Sequence, residues 1–418
     1  MTYIKRIYDM DFDVIIIGGG AAGMVAAITA AEYGDKVLIL ERNDMLGKKL
    51  LITGKGRCNV TNNSDNENIM KNIPTNSRFL YSALAGFSAY DVMDFFESLG
   101  VPLKTERGNR VFPVSDKASD IVNALKNRLK ELDVKIINER AEKILTDNSS
   151  DKPFVIGVKC GKNIYKAEKI ILCTGGKSYP GTGSTGDGYK MAKELGHSIT
   201  ELKPSLVPIN TEEDTKPMMG LSLKNVTLTL KNEKNKALYQ ELGEMLFTHF
   251  GVSGPLVLSA SAFIKKGSYK LYIDLKPALD EKKLDARILR DFEEAKNKNI
   301  SNVLRKLLPE KLIPEILTRS GIPAETKVNV ITKEQRKRLI ENLKALTFTV
   351  RSLRPIEEAI ITDGGIAVKE IDPKTMQSKL VDGLYFAGEI IDCAAYTGGY
   401  NLQIAFSTAR LAGQTRGV

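Results

Sequence analysis

The chain has 418 residues, 42% hydrophobic and 27% charged, with 61 Lys and Arg against 51 Asp and Glu. That length exceeds one ordinary domain, so two or three are expected, and no apolar run approaches the roughly 18 residues that span a bilayer. The net charge of +10 is scattered among acids, as in 282–298, and aromatics are 7% with no Trp, so neither a basic arm nor a stacking platform marks a nucleic-acid binder.

Four cysteines, at 58, 160, 173 and 393, show no C-x-x-C pairing and no metal-ligand spacing with the two histidines. They read as reduced thiols of a cytoplasmic protein. Met1 to Met10 has two basic residues but no apolar core or cleavage site, so no signal peptide is expected.

In chain order, the first predicted element is a buried strand, Val14 to Ile17, of β-branched residues. Gly18, Gly20 and Gly23 follow as G-x-G-x-x-G, and the Ala-rich segment from Ala21 and Ala22 to Tyr33 is a helix stopped by Gly34. A second strand, Val37 to Leu40, ends at Glu41, 23 positions beyond the first glycine. The glycines let the backbone turn sharply and approach a pyrophosphate lying on the helix N-terminus, and the acid accepts hydrogen bonds from a ribose diol. Arg42 is next to that acid.

The loop that follows packs Lys48, Lys49, Thr53, Gly54, Gly56, Arg57, Cys58 and Asn59 into a basic, glycine-rich stretch able to wrap phosphates and the far end of a long cofactor. That points to FAD, bound non-covalently, rather than NAD. A second anchor lies far away, where Gly383 to Glu389 and Thr397 to Gln403 form strand, glycine turn and helix. Its candidate contacts are Gly388, Glu389, Gly399, Tyr400, Asn401 and Leu402.

These blocks, with Val111–Ser119, Gly175–Gly188 and Phe247–Pro255, span nearly the whole chain. Together they resemble the three-domain bacterial flavoproteins of the BaiN or aminoacetone-oxidase type, NAD(P)/FAD-dependent oxidoreductases. The resemblance implies a backbone contact of Ala141 with adenine, and an FAD-binding rather than catalytic role for Glu389. Where many relatives carry a second acid, this chain has Ala394.

Between the anchors, Asn62 to Asn76 is a polar loop. Arg78 to Leu99 is amphipathic at helical spacing, its aromatics forming core. Thr105 to Pro113 is a turn between strands with two arginines near its tip. A helix over 120–132 and a strand over 134–137 lead to Ala141. Phe154–Val158 and Asn163–Ala167 form a small antiparallel excursion. Lys169 to Gly176 then returns to the main sheet, ending in the candidate contacts Thr174, Gly175 and Gly176. Gly181, Gly183 and Gly186 match G-x-G-x-x-G formally. They sit too far beyond their strand to make a tight turn, so they are expected to line a loop before the helix at Asp187.

Composition shifts near Pro204. The expected fold is α/β: a split Rossmann-like FAD domain (1–203 and 347–418), an antiparallel β insertion (204–276) and a small helical domain (277–346). A capping box, Thr332 to Gln335, opens one of its helices.

Cys58 has no partner cysteine before position 160, which excludes a dithiol reductase. His249, before a helix beginning at Pro255 with Ser253 as a candidate cap, is a candidate proton donor from the insertion. Tyr400 is a second, and His197 is read as a helix C-terminal cap. The resemblance implies either reduction of an activated C=C of the 3-oxo steroid or bile-acid enone type, with NAD(P)H as a transient donor, or oxidation of a small primary amine by O2. The reductase is favoured because no charged pocket for an ammonium is evident. An RNA-binding flavoprotein that modifies nucleosides is the reading from another class.

Overall fold

A computed structural model describes residues 10–414. The stretch read above for a signal peptide lies, apart from Met10, outside the described residues. The chain forms two compact units, residues 1–204 with 359–418, and residues 205–358.

The first unit opens with β1 (Phe12–Ile17), α1 (Ala21–Glu32), β2 (Val37–Leu40) and the short helix α2 (Lys48–Ile52). A small three-stranded sheet contains β3 (Thr61–Asn62), β4 (Leu103–Glu106) and β5 (Arg110–Pro113), with β5 in the middle. Next come α3 (Ala118–Glu131), β6 (Lys135–Ile137), β7 (Lys143–Asp147), β8 (Phe154–Cys160), β9 (Asn163–Leu172) and α4 (Asp187–Glu194). The main sheet has the order β6-β2-β1-β9-β8-β7. The predicted excursion and the predicted return prove to be one strand. The first half of β9 pairs antiparallel with β8, while most of the strand, through its second half, pairs parallel with β1.

Between Ala22 and Ala30 every residue of α1 is buried. Small side chains make that possible: a Cβ on Gly23 would lie 1.8 Å from the Gly18 carbonyl oxygen, so glycine there lets the helix close onto its own turn. The amphipathic stretch of 78–99 is not one helix. Phe87 is extended, and Ser88 starts a new helix, Ala89–Ser98, through a capping box with Asp91. Its aromatics form an edge-to-face chain, Phe87–Phe95–Phe96–Phe406, inside the core as expected.

The second unit is a closed barrel with helices. Its strands are β10 (Ile209–Thr211), β11 (Ser222–Asn232), β12 (Ala237–Phe247), β13 (Gly251–Ser253), β14 (Tyr269–Asp274) and β15 (Leu346–Leu353). They close in the order β10-β13-β12-β11-β14-β15. Its helices include α5 (Pro255–Ser261), α6 (Glu281–Glu294), α7 (Ile313–Ser320) and α8 (Lys333–Lys344). The capping box at Thr332 is present, with Gln335 N–H donating to the threonine at 3.2 Å and the glutamine accepting at 3.0 Å.

Two boundaries differ from the sequence reading. The dinucleotide fold does not resume at 347, because β15 pairs with β14 and β10 and puts Leu346 and Phe348 inside the barrel. The helices of 277–346 do not form a core of their own. Leu284, Ile316 and Leu339 share one hydrophobic core with the barrel residues Leu228, Phe247 and Phe348. After residue 358 the chain returns to the first unit, adding β16 (Leu384–Phe386), parallel to β9, and α9 (Tyr400–Gln414). Among the described residues no helix is long and apolar enough to cross a membrane.

Candidate dinucleotide site

Four of the glycine and acid motifs follow the C-terminal ends of four neighbouring parallel strands: β1 leads to Gly18, β2 to Glu41, β9 to Thr174 and β16 to Gly388. In an open α/β sheet this edge is where ligands bind. Gly18 has φ +101°, which opens the turn into α1. Gly20, the N-cap of α1, has no side chain with which to cap the helix, and a Cβ placed on it would meet nothing within 4 Å among the described residues. The first N–H groups of α1, at Ala21, Ala22 and Gly23, lack intrahelical partners and carry the positive end of the helix dipole. A pyrophosphate fits this helix end: an uncapped N-terminus, open space, and a backbone without a side chain in the way.

Glu41 is buried against that turn. One carboxylate oxygen accepts from Gly19 N–H at 2.7 Å, and the other from the backbone and side-chain nitrogens of Asn43, both at 2.8 Å. The acid is thereby fixed where a ribose is expected, with lone pairs to spare. Arg42 donates to Thr185 at 2.8 Å and pairs with Asp187 at 3.1 Å. Arg140 reaches the same carboxylate at 2.8 Å, so Asp187, at the start of α4, ties both arginines together beside buried Ala141. Asn138 donates to the Glu41 carbonyl at 3.1 Å.

The loop after α2 is built on left-handed backbone. Gly54, Lys55, Gly56 and Cys58 all have φ between 57° and 83°, of which Lys55 and Cys58 are not glycine. Thr53 holds it, donating to Leu50 O at 2.7 Å and accepting from Cys58 N–H at 3.0 Å. The Cys58 thiol is buried and pushed up to about 12 by that burial, so it is a neutral packing group. Asn59 joins the two halves of the motif. With its amide oriented to suit its neighbours, it donates to the carbonyls of Thr61 and Val111 and accepts from Gly399 N–H at 2.9 Å.

Several predicted residues are occupied with one another. Lys49 pairs with Glu389 at 2.7 Å and donates to Ser178 at 2.8 Å. Glu389 also accepts from Thr362 N–H at 2.9 Å and Ser178 Oγ at 3.1 Å. Arg57 does not present a free charge. It hydrogen-bonds Glu106 and Asp116, which raise its pKa, and stacks on Phe112 at 4.1 Å. Lys48 lies half-buried at the start of α2.

Thr174, Gly175 and Gly176 follow β9. A Cβ on Gly176 would lie 2.4 Å from Thr362 Oγ1, and buried Thr174 Oγ1 has no hydrogen-bond partner among the described residues. Gly181, Gly183 and Gly186 line a loop, with Gly186 as the N-cap of α4.

At the second anchor, Gly388 (φ +79°) packs on α1, where a Cβ would come within 2.8 Å of the Ala22 methyl. Gly399 (φ +100°) crosses β3, and a Cβ there would lie 2.3 Å from the Thr61 carbonyl oxygen. Tyr400 is buried at the start of α9, its ring against Gly398. Asn401 closes the preceding loop, accepting from Ala395 N–H and donating to Ala395 O, both at 2.9 Å. Leu402 is half-buried against the core.

His249 belongs to the second unit. It is exposed in a turn closed by the Thr248 N–H to Gly251 O bond at 2.8 Å, with Phe250 in edge contact. Glu358 is held below its usual range by Arg354, with His249 a smaller contributor. The helix α5 begins at Pro255 as expected, but Gly254 is the N-cap and Ser253 lies in β13. His197 is no exposed cap. Its ring is buried, 2.9 Å from Ser378 Oγ, and burial lowers its pKa.

A family model described as HI0933-like protein Rossmann domain matches residues 12–415. The chain belongs to that family. It is 32% identical over 407 residues, 96% of this chain and 97% of the other, to a 3-dehydro-bile acid delta(4,6)-reductase of Clostridium scindens. It is 31% identical over 397 residues, 94% and 96% of the two chains, to a ribosomal RNA dihydrouridine synthase of Haemophilus influenzae. Among solved structures, 3-ketosteroid delta1-dehydrogenase of Sterolibacterium denitrificans shares the fold with a TM-score of 0.53 at 12% identity, covering 96% of this chain and 98% of that one. This HI0933-like protein is thus an FAD-dependent oxidoreductase with a Rossmann-like fold.

The groups at this HI0933-like site that were not singled out from sequence include Ser178, Thr362, Asn138 and Asp187. Ser178 and Asp187 sit inside or beside the glycine-rich 175–188 block, which was the available signal. Thr362 carried none.

Proposed function

We propose that this HI0933-like protein binds FAD non-covalently along the sheet edge and reduces a carbon–carbon double bond conjugated with a carbonyl in a small organic molecule. The observation behind the cofactor placement is the uncapped α1 N-terminus facing open space at Gly20. In this reading Ala21, Ala22 and Gly23 offer N–H groups to the pyrophosphate and Glu41 accepts from the ribose. Thr53 to Asn59 and Gly399 to Leu402 flank the flavin. The Lys49–Glu389 pair, braced by Ser178 and Thr362, orients the middle of the cofactor.

Bound there, FAD supplies two-electron transfer, accepting reducing equivalents from NAD(P)H and passing them to the substrate. The reduction also requires a proton, and the candidate donors are Tyr400, beside the glycine turn, and His249. His249 is exposed, so His249→Gln should leave the fold intact. If His249 is the acid, turnover per bound flavin should fall by roughly 10²–10⁴-fold, and unchanged turnover removes it.

The bile-acid reductase relative, matched over nearly both full lengths, supports the enone substrate class. A second reading has a specific observation behind it. Two relatives, at 31% and 30% identity, are named ribosomal RNA dihydrouridine synthase, and the uracil double bond is also conjugated with a carbonyl. The test is anaerobic reduction of the purified protein by NADPH, then reoxidation by a steroid enone or by an unmodified ribosomal RNA fragment; anaerobic bleaching of the oxidised flavin by a primary amine, with reoxidation by O2, would instead mark an amine oxidase. Rapid reoxidation by the enone alone supports the first reading. Reoxidation by RNA, with binding that weakens steeply with salt, supports the second.

A further inference from the structure

Asn62 ties the tip of the β4–β5 hairpin to the Gly398–Gly399 turn, beside the link that Asn59 makes from Val111 to Gly399. Asn62 Nδ2 donates to the carbonyls of Gly108, at the hairpin tip, and Gly398, each at 3.0 Å. Asn62 and Arg110 are direct partners in the β3–β5 ladder, so their side chains leave the same face of that sheet. Glu106 is the partner of Arg110 on the other side.

The charges on this face do not balance. Arg57 and Lys104 share the two acids, with Lys104 2.7 Å from Asp116. Arg110 and Arg107 have neither: among the described residues no carboxylate pairs with either guanidinium. Arg110 is exposed, and its Nε donates to the Arg107 carbonyl at 3.0 Å. Its guanidinium lies 5.9 Å from the Phe112 ring, whose nearer cation is Arg57. An oriented guanidinium with free donors and no acid partner is suited to a carboxylate, which it can meet with two parallel hydrogen bonds.

We propose that Arg110, supported by Arg107, recognises a carboxylate on the substrate and so selects acidic over neutral enones. This rests on the enone reading above and adds the charge class of the molecule. Arg110 acts in specificity, away from the double bond.

The test compares a steroid enone bearing a side-chain carboxylate with its methyl ester, in wild type, Arg110→Gln and Arg110→Lys, with flavin content measured on each preparation. Arg110→Gln should lower kcat/KM for the acid by about 10- to 100-fold, the size of one charge-assisted contact. The loss should fall mainly in KM, with the ester changed by less than about 2-fold. Arg110→Lys, which keeps the charge but not the fork, should fall between. Binding of the saturated acid, read by perturbation of the flavin absorbance, should weaken in parallel. Equal losses for acid and ester, or none for either, overturn the proposal. If Arg110→Gln loses its flavin, wild type decides: KM for the acid, not the ester, should rise with salt, and equal KM values at low salt overturn it. Turnover of neither enone overturns the enone reading and this inference with it, and RNA reduction sensitive to Arg110→Gln would assign the arginine to phosphodiesters instead.

Discussion

At Gly20 the site is open, because among the described residues nothing fills the space its side chain would take. The predicted consequence of Gly20→Val is a folded protein that cannot hold the pyrophosphate against α1. Purified variant should lack the flavin absorbance of wild type while keeping its circular dichroism; full flavin content in the variant would refute the placement. Lys169 makes a different kind of prediction. It is buried in β9, donates to Gly413 O at 3.3 Å and lies 4.8 Å from the Tyr385 ring. Burial lowers its pKa from 10.5 to about 8. Below pH 8 both the folded and unfolded chains carry that proton, so the cost of burying the ammonium is fully present. Between about 8 and 10.5 only the unfolded chain holds it, so this group's contribution to stability rises with pH. The melting temperature of wild type relative to Lys169→Met should therefore increase from pH 8 to pH 10, and a pH-independent difference would show that the lysine does not titrate in that window.

At the scale of elements, the turn before α9 is fixed by close approach rather than by side chains. Gly399 has φ +100° and its hydrogen faces the Thr61 carbonyl, so Gly399→Ala should cost roughly 1–3 kcal/mol from backbone strain alone and more from the clash. A lowered melting temperature with reduced flavin retention is the expected result, checked by thermal denaturation and absorbance. The elements legible in the sequence were those whose signals are local. The β1–turn–α1–β2 unit and the Thr332 cap could be read because turn chemistry and capping depend on residues a few positions apart. The helix break at Ser88 was equally local, as Ser88-Ala-Tyr-Asp91 spells its capping box, but the aromatic periodicity on both sides masked it. β15 was not legible in this way. Its assignment to the barrel depends on pairing with β10, more than 130 residues earlier, and no local pattern carries that information. The partners of Arg57 were hidden for the same reason: a basic residue in a glycine-rich loop reads as phosphate-binding until Glu106 and Asp116 are brought beside it.

At the scale of the whole molecule, the second unit is one uninterrupted segment with its own hydrophobic core. Residues 205–358 expressed alone should melt cooperatively and bind no flavin, as seen by circular dichroism and absorbance, and a fragment without a thermal transition would show that the barrel depends on the rest of the chain. The first unit cannot be separated so simply, and its division has a consequence for synthesis. The second half of β9, Ile170 to Leu172, is flanked by β1 on one side and by β16 on the other. β16 leaves the ribosome more than 200 residues after β9. At about 5–20 residues per second, the nascent chain holds an unpaired apolar edge for on the order of ten seconds or longer. In the proposed site flavin could not relieve this, because the Gly388 and Gly399 turns that would complete its cradle are made later still. A message truncated between the codons for residues 359 and 383 would yield a finished barrel attached to a sheet with an open, aggregation-prone side, and chaperone demand during translation should be concentrated in the interval before β16 is made.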